Sequence, residues 1–197
     1  DLLVERHGYK KMAFADPVKD ATSAIFGWDR TLLEGDTEAS RAFREAPDEF
    51  WTARFGFPVT PRWALQKLGT EGGRDTFHES LWVTSLERRL DSDKVVITDV
   101  RFPNEIKKIK SLGGHSVRVV RGEEPKWYEA ARRRNSFVEA RGGSLDVGEI
   151  DEMERDYPNV HISEWAWIGS PMDYIVYNNG TKNELEINVE YMLTVLS

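Results

Sequence analysis

"VVITDVRFPNEI", residues 95–106, decides how the chain folds. A short apolar run, VVI, leads to Asp99 and Arg101, and Pro103 then opens a pattern in which Ile106, Ile109 and Leu112 recur at three-residue intervals. An apolar run with little alternation reads as a strand covered on both faces, whereas the recurring stripe reads as one side of a helix. Gly113-Gly114 closes that helix, and HSVRVV, 115–120, supplies a second strand. Strand, helix and strand in succession predict a parallel sheet with helices on its faces. Ligands of such sheets bind beyond the carboxyl ends of the strands. Polar residues are therefore expected where VVITDV ends.

Working outward, KKMAFA (10–15) and DYIVYN (173–178) have the same character as the two central runs. The segments between them are helical in pattern. TPRWALQKLG offers Thr60 as N-cap, Pro61 at the first helical position and Gly69 as the stop. Residues 76–90 place Phe77, Leu81, Trp82, Leu86 and Leu90 on one face, and Leu185, Val189, Met192, Leu193 and Leu196 recur at helical spacing near the end. The expected fold class is α/β, with one domain over 1–197. Within it, 20–92 form a helical region, 93–120 the strand–helix–strand core, 121–165 an insertion, and 166–197 a last strand and helix. The insertion has no strand signal and is dense in charge, with RRR at 132–134 and DVGEIDEMERD at 146–156. It reads either as a solvated helical face or as a lid that carries arginines to a phosphate and excludes water.

Composition removes several function classes. There are no cysteines and four histidines, which excludes disulfide frameworks and thiolate metal sites and makes a zinc site unexpected. A net charge of −7 argues against stable, sequence-independent nucleic-acid binding. No apolar run approaches the roughly 20 residues of a membrane span, so no membrane partner and a cytoplasmic location are expected. The start at Asp1, inside what reads as the end of an amphipathic helix, leads us to expect that an upstream segment belongs to the protein.

Five stretches carry candidate chemistry. Asp99 could hold a magnesium ion, and Arg101 could fork onto a phosphoryl oxygen; Asn104 and Glu105 equally suit the first turn of a helix. Arg62 and Gln66, four apart, share a helical face, and in GTEGGR (69–74) the glycines admit close backbone approach while Thr70, Glu71 and Arg74 supply polar groups. In FADPVKD (14–20), Asp16 reads as an N-cap and Lys19 as a nearby cation. In HISEWAW (161–167), Ser163 reads as a helix cap. NNGT (178–181) is a strong turn signal after the last strand.

Taken together, FADPVKD, TPRWALQKLGTEGGR, ITDVRFPNE, HISE and NNGT, in this order and roughly this spacing, resemble the bacteriophage deoxynucleoside monophosphate kinases. The resemblance implies a P-loop nucleoside monophosphate kinase fold. It also implies transfer of the γ-phosphoryl group of ATP to a deoxynucleoside monophosphate (dNMP), with Mg2+, in the host cytoplasm of a phage. It places Lys19, Arg62, Gln66 and Arg74 around the acceptor, together with Asp16, Thr70, Glu71, Trp82, His161, Ser163 and Glu164. Asp99, Arg101, Arg121 and Arg132 become the catalytic set, with Asp99 at the metal, and Asn178, Gly180 and Thr181 lie beside adenine. Three successive helical arginines fan over about 200°, so Arg132, Arg133 and Arg134 cannot all serve one phosphate. Trp51, Trp63, Trp82 and Phe77 are candidates to stack on a base, but large aromatics on helical faces suit a core equally. A homodimer leaves no signature in this sequence.

The chain departs from the family in lacking any GxxxxGK[ST] loop to cradle donor phosphates. Two alternatives therefore stand beside the kinase. One is a non-catalytic nucleotide-binding protein that keeps the acceptor pocket, and the other a nucleotide hydrolase with water as acceptor.

Overall fold

The computed structural model describes residues 2–142 and 151–196. Two compact units divide after Asp99. The first comprises α1 (Leu2–His7), β1 (Lys10–Met12), α2 (Asp16–Phe26), α3 (Glu38–Glu45), α4 (Glu49–Phe55), α5 (Pro61–Lys67), α6 (Leu81–Arg89) and β2 (Val95–Ile97). The second comprises α7 (Pro103–Ser111), β3 (Val117–Val120), α8 (Tyr128–Ala140), α9 (Glu152–Asp156), α10 (Ile162–Trp165), β4 (Tyr174–Tyr177) and α11 (Lys182–Leu196). The class is α/β, rich in helix.

Both strand pairings are parallel, as the alternation of strand and helix requires. In the first unit β1 pairs with β2, Met12 opposite Ile97; in the second β3 pairs with β4, Val120 opposite Tyr177. The expected single sheet is thus a pair of two-stranded sheets among the described residues. Coverage also differs from expectation. Val176 of β4 is buried, but its neighbours Ile175 and Tyr177 point the other way and are exposed, and Val119 of β3 is 61% exposed. A short apolar run therefore overstated how completely these strands are enclosed.

Local chemistry explains most helix boundaries. Thr60 caps α5 by accepting from the Trp63 amide, with Pro61 following. Asp48 caps α4 through Trp51 N, and its other oxygen accepts from Trp28 Nε1 at 2.8 Å. That link joins the cap to the core of the first unit, where Trp28, Leu33, Val59 and Ala64 are buried beneath Phe26, Phe43, Trp51 and Trp63. Glu105 is 2% exposed, and one of its oxygens accepts from the backbone N–H groups of Arg101 and Phe102, so its role is to start α7.

Three boundaries differ from the sequence reading. Gly69 does not end a helix: the chain continues from α5 into a π-helical segment, Leu68–Asp75, because Trp82 and Thr76 supply side-chain donors to its carbonyls. The next helix starts at Leu81, not Thr76, which leaves Phe77 78% exposed and off any apolar face. Asp16 is the first residue of α2 and not its cap; its carboxylate reaches back to Ala13 N at 2.8 Å.

The insertion is better packed than its charge suggested. Ala130, Ala131, Met153, Trp165 and Ile168 form a buried cluster lined by Trp127, Tyr128, Tyr157, Val160 and Trp167. Asn135 Nδ2 adds hydrogen bonds to the carbonyls of Trp165 and Ile168. The portion of the acidic stretch at 146–150 lies outside the described residues.

Candidate functional site

In the first unit, polar groups gather where β1 and β2 end. Asp99, two residues beyond β2, accepts from Phe14 N at 3.0 Å through one carboxylate oxygen and from Ala15 N at 2.9 Å through the other. The turn between β1 and α2 is thereby clasped to the end of β2. Asp16 holds Ala13 N, and Arg89 Nη2 approaches the Ala13 carbonyl at 3.4 Å. Burial pushes the Asp99 carboxyl above its usual value, opposed by the two amides and by the Lys19 charge.

One turn into α2 a cation pair shares a carboxylate. Lys19 Nζ, its side chain 14% exposed, lies 2.6 Å from Glu34 Oε2, and Arg30 bonds the other oxygen of the same group. Asp16 Oδ1 is 3.3 Å from Arg30 Nη2 and 4.0 Å from Lys19 Nζ, and Asp20 pairs with Arg30 Nε at 2.5 Å. Burial would raise the Glu34 carboxyl, but its bonds from Lys19 and Arg30 outweigh that and hold it low. Sequence reading found Asp16 and Lys19 and missed Arg30 and Glu34. Their i,i+4 spacing around a short 3-10 turn, Arg30–Leu33, was the available signal.

The π-helical segment carries Thr70, Glu71 and Arg74, and Gly69 packs against Val18, the neighbour of Lys19 in α2. The structure therefore brings the Lys19 helix and the Thr70–Arg74 turn together within one unit. Glu71 pairs with Lys67, Arg62 with Glu45, and Gln66 is exposed. Trp82 does not offer a free indole: its Nε1 donates to the Gly69 carbonyl at 2.6 Å. Trp51 and Trp63 are partly buried against the core of the unit.

In the second unit, Arg101 meets the HISE segment. Its guanidinium pairs with Glu164 and approaches Ser163 Oγ at 3.4 Å, and His161 Nδ1 lies 2.9 Å from Ser163 Oγ. Four residues singled out from separate stretches of sequence thus adjoin. The cap of α10 is His161, whose ring nitrogen accepts from Ser163 N, and not Ser163. Arg101 keeps about half its side chain exposed and can re-aim toward a ligand.

The arginine triplet separates into roles. Arg134, 18% exposed, pairs with Asp151 and lies 4.6 Å from the Trp165 ring centroid, so it belongs to the packing of the unit. Arg133 forks onto Glu152. Arg132 has an i,i+3 pair with Glu129 and is half exposed. Arg121 is exposed just beyond β3, and the adjoining Gly122 N donates to Asn179 Oδ1, which pins that rim to the NNGT turn after β4. Asn178 N continues the ladder to Val120 O. Thr181 and Glu184 cap each other at the start of α11, and a Cβ on Gly180 would sit 2.3 Å from Glu184 Oε2.

The donor set does not by itself fit a magnesium ion at Asp99. Both its oxygens are engaged by amides, Asp16 is committed to Ala13 N and Arg30, and no group of three acidic or histidine side chains suited to a metal occurs among the described residues. Mg2+ takes one or two carboxylates and otherwise water or substrate phosphates. No helix among the described residues has the length and apolarity to cross a membrane.

Comparison with known proteins finds two viral relatives. Over 133 residues the chain is 35% identical to an Acanthamoeba polyphaga mimivirus protein provisionally named deoxynucleotide monophosphate kinase, a match spanning 60% of this chain and 64% of the relative. Over 50 residues it is 52% identical to the deoxynucleoside-5'-monophosphate kinase of Escherichia phage T5, spanning 24% of this chain and 20% of the relative. The chain thus covers less than two thirds of the length of either relative. No protein-family profile matches it. It is similar to viral proteins that carry the name of dNMP kinases.

Proposed function

We propose that this chain, similar to two viral proteins named as deoxynucleoside monophosphate kinases, belongs to such an enzyme and has a P-loop nucleoside monophosphate kinase fold. The observation that carries the reading is the 52% identity to the phage T5 kinase, set beside the longer match to the mimivirus protein. The reaction moves the γ-phosphoryl group of ATP to the phosphate of a dNMP and yields dNDP and ADP, in the cytoplasm of the infected host. ATP would supply the phosphoryl group, and an accompanying Mg2+ would be held by its phosphates and water and not by Asp99.

Phosphoryl transfer asks a protein mainly for positioning and for positive charge around the moving group. Support for that assignment lies in cations that are neutralised by carboxylates rather than buried alone. Lys19 and Arg30 share Glu34, and Arg101 rests on Glu164. A phosphate replaces a carboxylate as partner to such groups without leaving them uncompensated. Lys19, Arg30 and Arg74 bind the acceptor phosphate in this account. Arg101, with Arg121 and Arg132, stabilises charge on the transferred group. Asp99 sets the turn from which α2 and Lys19 project, and the turn at 178–181 adjoins adenine.

The test is to incubate the full-length gene product with ATP, Mg2+ and each dNMP, and to separate dNDP from free phosphate. Formation of dNDP is expected, with Arg101→Ala and Arg74→Ala lowering turnover far more than stability. Free phosphate without dNDP points to a hydrolase, and dNMP binding without turnover to a nucleotide-binding protein; either result removes the kinase assignment.

A further inference from the structure

We infer that Trp82 is a positioning residue, which holds the π-helical turn Leu68–Asp75 in the shape that presents Thr70, Glu71 and Arg74, and that it acts through that turn without touching the nucleotide base. The inference rests on the acceptor-site reading above and deepens it.

A π-helical stretch is a rare, wide turn of the backbone, frequently found at functional sites. Here ties come from outside the segment. Trp82 Nε1, at the start of α6, donates to the Gly69 carbonyl at 2.6 Å. Thr76 Oγ1 donates to the Glu71 carbonyl at 2.7 Å, and the Phe77 amide takes the Gly73 carbonyl at 3.0 Å. The indole also fills the notch of the turn. A Cβ built on Gly73 would lie 2.3 Å from Trp82 Cζ2 and 2.7 Å from Cε2, distances no side chain tolerates, so Gly73 and the indole are fitted to one another. On the other flank, Gly69 sits 3.6 Å from a Val18 methyl by the same construction, which seats the turn on the helix that carries Lys19. With its single N–H donor spent and its six-membered ring against Gly73, Trp82 is occupied by the protein.

Hydrogen exchange of the amides in residues 68–76 and titration with dAMP, dGMP, dCMP and dTMP test this in the wild type, Trp82→Phe, Trp82→Leu, Gly73→Ala and Trp82→Leu/Gly73→Ala, with melting temperatures recorded for each. Trp82→Phe keeps an aromatic ring and loses the donor. The expected result is faster exchange across 68–76 and weaker binding of all four nucleotides by the same factor, roughly three- to tenfold, as loss of one hydrogen bond implies. Gly73→Ala is expected to reproduce both effects, and the double variant, with the colliding ring atoms gone, to lose less than the two single changes combined. Weakening that depends on the base, with exchange unchanged, would mean that Trp82 stacks on the nucleotide and would overturn the inference. Wild-type binding with Trp82→Phe unaffected in both readouts overturns it too. Failure of the wild type to bind any dNMP overturns the acceptor reading itself, a result distinct from the other two.

Discussion

Replacing Asp99 by Asn separates a structural clasp from a ligand for metal or substrate. The carboxylate accepts from Phe14 N and Ala15 N at 3.0 and 2.9 Å, one oxygen each. An amide side chain has one oxygen, so it can keep one of these bonds while its NH2 faces the other N–H. A lost hydrogen bond to a charged group, with a donor left unpaired, costs about 2–4 kcal/mol. Relief from burying a charge returns part of it. The net expectation at neutral pH is a loss of about 1–3 kcal/mol, which in a chain of this size lowers the melting temperature by roughly 3–10 °C. Because burial raises the Asp99 pKa, the folded chain holds that proton more tightly than the unfolded one. Stability linked to this group is therefore full below the unfolded value near 3.8 and declines as pH rises through the higher folded value, so the wild-type advantage over Asn narrows across that window. Urea melts from pH 3.5 to 8, with exchange rates of the Phe14 and Ala15 amides, read both effects. An Asn variant as stable as the wild type, with those amides equally protected, would refute the clasp. If such a variant also lost dNDP formation, Asp99 would be a ligand-binding group instead.

Three further outcomes follow from the same geometry. Asp173 accepts from Ser116 N and Oγ and from Lys110 Nζ, which hold its pKa down from 3.8 to about 2. Its contribution is complete above pH 3.8 and disappears as pH falls through 2; discounted for solvent screening it is worth about 1–2 kcal/mol, so Asp173→Asn should be less stable at pH 7 and indistinguishable near pH 1.5. Arg134→Ala removes the partner of Asp151, whose side chain is 9% exposed, and a contact with the Trp165 ring, and should cost about 2–4 kcal/mol in a denaturant melt. Arg132→Ala breaks only an exposed i,i+3 pair; a stability change below about 0.5 kcal/mol is expected, with any large effect confined to turnover.

The sequence was most informative where a local rule acts alone. Thr60-Pro61 and Pro103 start helices as their chemistry requires, and Gly113 follows the end of α7 with the positive φ of 80° that suits glycine. It failed where a distant side chain decides. Nothing near Gly69 signals that Trp82, 13 residues on, takes its carbonyl and lets the helix widen instead of ending. The RRR triplet is three like charges in sequence, and only the tertiary positions of Asp151 and Glu152 set Arg134 and Arg133 apart from Arg132, whose partner Glu129 is its i−3 neighbour in the same helix. Asp99 was legible as a strand-end carboxylate but not as a clasp, because its partners are backbone amides 84 and 85 residues away. Lys19 was visible while its companions Arg30 and Glu34 were not, since a surface i,i+4 pair looks alike whether or not a third charge joins it.

The central claim is that cations of this chain grip a nucleotide through its phosphate. Calorimetric titration of the chain with a dNMP and with the matching deoxynucleoside measures this directly. The dNMP should bind at least about tenfold more tightly, a difference of about 1.4 kcal/mol, and Lys19→Met should remove most of that gap while nucleoside binding is unchanged. Equal affinity for the two compounds, or a gap that survives Lys19→Met intact, would contradict the account.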